Sequence, residues 1–148
     1  MTVAIKIVAP KGGPTISPIG GDVTRYKVSG ADTAGAFALL EQIVPPGHGP
    51  WRHVHSREEE SFYITDGKFT FEVGDARFVA TAGAMVLGPR AIPHRFWNSG
   101  PVPGKLSLLI TPTGLEPFFE EFSRLLAEHP GDLATQAELA GRYGMQFV

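Results

Sequence analysis

GHGPWRHVHSREEESFYITDG, from Gly47 to Gly67, is the stretch on which the reading of the chain turns. His53 and His55 stand two residues apart in it, with Glu60 five further on. On a strand, side chains i and i+2 point to the same side, so His53 and His55 project together, and Trp51 with them. Glu60 has the opposite parity, but Ser56 to Glu59 reads as a charged turn that resets the count. Glu60, Phe62 and Ile64 then face the same interior from the neighbouring strand. A second segment, GAMVLGPRAIPHRFWN (Gly83 to Asn98), contributes His94, which shares a face with Phe96 and Asn98. Three imidazoles and a carboxylate form a donor set that suits a divalent Fe, Mn, Ni, Co, Cu or Zn ion and suits calcium poorly. Four protein donors leave one or two positions of a five- or six-coordinate ion open, as a working site requires. The expected cofactor is one such ion per chain on His53, His55, Glu60 and His94.

Outward from this stretch the punctuation is regular. Strand material at 51–55 is followed by 60–65, and Asp66-Gly67 is a hairpin turn signal. Segments 68–73 and 76–80 alternate around Gly74-Asp75, 84–87 is apolar, and 94–98 and 105–111 complete the series. Upstream, 22–29 and 36–44 are strand candidates separated by the polar turn SGADTAG, and 2–10 (Val3, Ile5, Ile7) reads as an edge strand. Short strands at this spacing, with 18 glycines and 13 prolines scattered between them, predict an all-β sandwich or barrel. The tail differs. Residues 116–128 place Phe118, Phe119, Phe122, Leu125 and Leu126 on one helical face. Pro117 stands in the first turn, His129-Pro130-Gly131 stops the helix, and a second helix follows at 132–141 with Asp132 as its cap. These helices are expected to cover an open sheet face or meet a second subunit, and to carry no chemistry.

At 148 residues the chain reads as one domain, 1–148, with its core at about 36–111. Its N-terminal strands fall in 2–29 and its helices in about 116–141. A net charge of −2 with interspersed signs gives no basic footprint for nucleic acid. No apolar run approaches the roughly 20 residues of a membrane span. The first residues lack a secretory h-region, so a cytoplasmic location is expected by elimination. Zero cysteines leave only nitrogen and oxygen to hold a metal. Of the other polar candidates, His48 sits in a Gly-Pro loop and His129 at a helix end. Glu58 and Glu59 read as a solvated turn, and Asp66 and Asp75 as turn residues.

The two stretches together resemble the two motifs of the cupin superfamily. Gly47, His53, His55, Glu60 and Gly67 meet the first, and Gly83, Pro89, His94 and Asn98 the second. Ala91 stands where the second motif has glycine, which narrows that loop's options and removes no ligand. The flanks look like single-domain bacterial cupins likened to quercetin dioxygenases. The resemblance implies a double-stranded β-helix barrel with the ion inside it, and a homodimer. It also implies that Glu60, besides being a ligand, accepts a substrate proton as the catalytic residue. The walls expected around the ion are Trp51, Phe62, Ile64, Met85, Leu87 and Phe96, with Phe69 or Phe71. Such an apolar, aromatic pocket suits a flat or hydrophobic substrate. Arg52, Arg57, Arg90 and Arg95 are expected at the mouth or outside. The leading expectation is a dioxygenase cleaving a flavonol-like or other enolic, aromatic substrate with O2. The alternatives are a non-enzymatic small-molecule or metal-binding cupin and a metal-dependent isomerase or lyase.

Overall fold

Two antiparallel sheets face each other across an apolar interior, with a helical tail over one end. The structure, a computed structural model, describes residues 2–148. In chain order the strands are β1 (Thr15–Ile16), β2 (Val23–Val28), β3 (Ala38–Val44), β4 (His53–His55), β5 (Glu59–Asp66) and β6 (Lys68–Val73). Then come β7 (Ala76–Thr81), β8 (Met85–Gly88), β9 (His94–Asn98), β10 (Gly104–Thr111), the helices α1 (Glu116–Glu128) and α2 (Leu133–Arg142), and β11 (Met145–Phe147). One sheet has the order β1-β2-β3-β10-β5-β8 and the other β11-β4-β9-β6-β7. The expected all-β double-stranded β-helix with a C-terminal helical segment is the fold observed.

Alternation sets the interior. Ala38, Leu40, Gln42 and Val44 of β3 point inward, as do Leu106, Leu108 and Ile110 of β10 and Glu60, Phe62 and Ile64 of β5. The ladders stack these into layers: Ala38–Ile110–Glu60, then Leu40–Leu108–Phe62, then Gln42–Leu106–Ile64. From the facing sheet, Phe69, Phe71 and Phe96 fill the centre, with ring centroids of Phe96 at 5.3 Å from Phe62 and 5.4 Å from Phe71. Asn98 ties the second motif to the first. Its Nδ2 donates to the carbonyls of Val44 and Val102, both at 2.8 Å, and Gly47 N donates to the Asn98 carbonyl.

Several expectations need correction. Residues 2–10 form no strand. Val3, Ile5 and Ile7 are exposed, at 57, 95 and 92%, and among the described residues no strand pairs with them. The short β1 at 15–16 pairs with β2 instead. The SGADTAG turn contains a 3₁₀ turn, Gly30–Thr33, closed by Ala34 in the left-handed region. The tail ends in an unforeseen strand, β11, paired with β4 through Met145–His55 and Phe147–His53. Asp132 does cap α2, accepting from Thr135 N at 3.0 Å. Among the described residues no helix is long and apolar enough to cross a membrane.

Candidate metal centre

His53 and His55 enter the interior from β4, and β9 lies antiparallel beside it with His94 opposite His53. Glu60 comes from the other sheet, so the cluster bridges the two. All four side chains are buried, and one ligand atom from each lies within 4.8 Å of all the others. Glu60 Oε2 is 2.9 Å from His94 Nε2, 3.1 Å from His55 Nε2 and 3.7 Å from His53 Nε2. Donors about 2.1 Å from a common ion stand about 3.0 Å apart at right angles and about 3.6 Å apart at 120°. The observed separations, 2.9, 3.1 and 3.7 Å, lie within about 0.1 Å of that range.

The outer edges of the rings are also arranged as ligation requires. His53 Nδ1 donates to the Trp51 carbonyl at 2.6 Å and His94 Nδ1 to the Ile92 carbonyl at 3.2 Å, which turns both Nε2 atoms toward Glu60. His55 Nδ1 and Nε2 are buried without a hydrogen-bond partner, an expensive state for ring nitrogens that an ion at Nε2 would relieve. Glu58, expected in a solvated turn, is instead 4% exposed, with Oε2 3.4 Å from His55 Nδ1. The chain turns tightly enough after His55 to fold this carboxylate back behind the ring. Glu59 is tied to Arg90 by a two-pronged ion pair, at 2.9 and 2.6 Å. Two small residues make room. Gly88 lies opposite Glu60, where a Cβ would press on the His94 ring at 3.3 Å. Ala91, in place of the motif's glycine, holds φ at +65° so that its N–H reaches the His55 carbonyl at 2.7 Å. That left-handed backbone costs a residue with a Cβ on the order of 1 kcal/mol.

A cavity partly open to solvent runs up to His53 and Glu60. Trp51, Phe62 and Phe96 border it. Ile64 is fully buried in the layer beyond it and does not reach the cavity wall. Met85 and Leu87 are corrected outright: they are 59 and 55% exposed on the outer face. Ladder partners share a face, and β8 pairs Val86 with Phe62 and Gly88 with Glu60, which sends Met85 and Leu87 outward beside Tyr63 and Ser61. Phe69 and Phe71 are buried below the cavity rather than on its wall. The opposite wall is the tail, expected to be free of chemistry: Phe118, Phe119, Phe122 and Leu126 of α1, Gln136 of α2, and Met145 and Phe147 of β11. The aromatic stripe of α1 was the available signal. What it packed against was not.

The family described as "Cupin domain" matches residues 40–111, the span that contains all four candidate ligands. SchB of Streptomyces halstedii is 32% identical over 114 residues, which cover 76% of this chain and 81% of SchB. The chain is a cupin. Solved structures agree on the fold of this cupin. KdgF from a Halomonas species superposes with a TM-score of 0.68 at 12% identity, over 77% of this chain and 99% of that one. A protein described as a predicted oxalate decarboxylase from Thermotoga maritima superposes with a TM-score of 0.60 at 22% identity, over 76% and 99% of the two chains.

The electrostatics of this cupin's centre follow from its burial. Desolvation pushes the His53 pKa below its ordinary value, so that ring is neutral near pH 7. Desolvation also works against charge on His55, but Glu60 and Glu58 outweigh it and raise its pKa from 6.5 to about 10. For Glu60 burial acts upward, yet His55 and the other two rings hold the carboxyl well below its usual range. In the metal-free chain His55 and Glu60 are thus an ion pair, and an incoming ion must displace the His55 proton. Metal affinity is therefore expected to rise with pH up to about 10, where the His55 proton is lost anyway, by up to about tenfold per unit. A zinc titration in weakly buffered solution near pH 7.5 should release close to one proton per ion; release near zero would contradict the pairing.

Proposed function

We propose that this cupin is a metal-dependent dioxygenase of the quercetinase-like type, acting on a flavonol-like or other enolic, aromatic substrate. The observation that supports this reading is the cavity wall. Seven aromatic side chains and several aliphatic ones line a space that ends on His53 and Glu60, with no lysine or arginine among them. A phosphorylated or sugar-acid substrate would require cations there, and the arginines are occupied elsewhere: Arg90 with Glu59 and Arg95 with Glu72. This weighs against the isomerase and lyase alternatives.

The chain's part in the reaction follows from its geometry. His53, His55, Glu60 and His94 would hold one divalent transition ion. When bound, that ion supplies Lewis acidity and, if redox-active, a path for electrons between substrate and oxygen. The aromatic walls bind the flat rings and keep water from the reacting carbons. Glu60 is ionised at neutral pH, the state in which a carboxylate can accept the proton of the substrate's enolic hydroxyl. Both atoms of O2 then enter the products as a carbon–carbon bond of the substrate is cleaved. An oxygen electrode with the protein loaded in turn with Fe, Mn, Co, Ni and Cu, against a flavonol panel, tests this. Uptake dependent on both metal and flavonol is expected; none with any pairing removes the dioxygenase reading.

The homodimer is proposed on separate grounds. The arm bearing Val3, Ile5 and Ile7 is an apolar surface exposed on one chain, which a second copy would cover. Sedimentation should give a dimer mass, and Ile5→Asp with Ile7→Asp should shift it toward monomer. A monomeric wild type removes the proposal.

A further inference from the structure

We propose that Gln42 is the distal polar anchor of the cavity, its Oε1 accepting a hydrogen bond from a hydroxyl or N–H at the ligand end farthest from the histidines. Gln42 borders the cavity and is 3% exposed. Its carboxamide cannot turn freely. Asp22 accepts from Ser17 Oγ at 2.8 Å, from Ile19 N at 3.0 Å and from Thr24 Oγ1 at 2.6 Å. The one hydroxyl hydrogen of Thr24 is spent on Asp22, so its oxygen can only accept from Gln42, and Nε2 donates to it at 3.2 Å. Oε1 is thereby fixed as the free end, and among the described residues no group donates to it. A buried carbonyl without a donor is costly, and such groups belong where something else supplies the donor.

The sheet register places this acceptor. Leu106 joins Gln42 to Ile64, and Ile110 joins Ala38 to Glu60, so Gln42 lies four residues along the sheet from the level of Glu60. At about 3.3 Å per residue that is roughly 13 Å. Between the two levels the walls are apolar, formed by Phe62, Leu108 and Phe119 among others. The ligand class that fits is an elongated aromatic molecule with an enolic hydroxyl toward Glu60 and a phenolic hydroxyl or N–H at the other end. Gln136, the other amide on the wall, donates its Nε2 to the Pro130 carbonyl at 3.0 Å.

This rests on reading the cavity as a substrate site, and two probe pairs separate its failure from that of the dioxygenase reading. The first is para-hydroxybiphenyl against para-fluorobiphenyl, which have no enol. The second is a flavonol with a para-hydroxyl on its pendant phenyl ring against the para-fluoro analogue. Binding is read from quenching of Trp51, which lines the same cavity. One neutral hydrogen bond predicts a preference of about 5–10-fold for the hydroxyl member of each pair. Gln42→Met, similar in length but without the acceptor, should abolish it. Thr24→Val, which unlocks the amide, should shrink it and serves if Gln42→Met does not fold. No biphenyl binding, no preference, or a preference that survives both variants overturns the anchor. A Gln42-dependent biphenyl preference without oxygen uptake from any flavonol leaves the anchor standing and removes the dioxygenase reading. Uptake without the preference does the reverse.

Discussion

His55→Ala protein will carry far less than one ion per chain where the wild type carries about one. His55 is 1% exposed, its Nε2 lies 3.1 Å from Glu60 Oε2, and neither ring nitrogen has a hydrogen-bond partner. Removing it takes away one of four donors. It also leaves Glu58 and Glu60, both buried, without the ring that stands between them. The first effect lowers metal content; the second destabilises the metal-free chain, because an unpaired buried charge is strongly unfavourable. Elemental analysis of purified protein reads the first and thermal melting the second. Glu58→Gln gives the graded comparison: it keeps every donor but removes the carboxylate behind His55, a change that costs about 10–100-fold in metal affinity at comparable sites. Unchanged stoichiometry in His55→Ala would refute the ligand assignment, whatever the activity of either protein.

Phe96→Ala will lose about 3–5 kcal/mol of stability, the range for deleting a buried aromatic ring. Phe96 is 3% exposed and its ring meets Phe62, Phe69 and Phe71 at centroid distances of 5.3, 5.9 and 5.4 Å. No single neighbour can move to fill the space, since each is held in its own strand. At about 2–4 °C per kcal/mol for a chain of this size, melting should fall on the order of 10 °C. Leu87→Ala is the control, because sequence parity would put Leu87 in the same interior while the structure puts it outside. A loss within about 0.5 kcal/mol is expected there. Comparable losses for the two variants would mean that the register of β8 on β5 is wrong.

The difference between Phe96 and Leu87 shows where the sequence is legible. In HVH the two histidines flank a valine, and in HRFWN His94, Phe96 and Asn98 alternate with Arg95 and Trp97, so parity groups the candidate ligands with the residues that share their face. In MVLG every residue is apolar and both phases look alike, so only pairing with β5 decides which face is inward. Glu58 was misread for a related reason. A run of three acids looks solvated, and nothing local says that one of them folds back 3.4 Å from a histidine ring. The β11 strand has three residues, too few for periodicity to register, and it exists because β4 offers it an edge.

By itself the sequence determined the all-β architecture, the two-helix tail and the cluster of His53, His55, Glu60 and His94. Each of these is written in local spacing: period two in the strands, an aromatic stripe of period near 3.6 in α1, and turn residues between. Tertiary structure alone decided what surrounds the cluster. The cavity wall is shared between strands and helices far apart in the chain, and the lock on Gln42 runs through Ser17, Asp22 and Thr24 on a different strand segment. Spacing says which residues share a face, but which faces meet depends on closing the barrel. At the His53–His55–Glu60 stretch both kinds of information coincide: its own parity pairs the two histidines, and the packing of one sheet on the other brings them to the carboxylate.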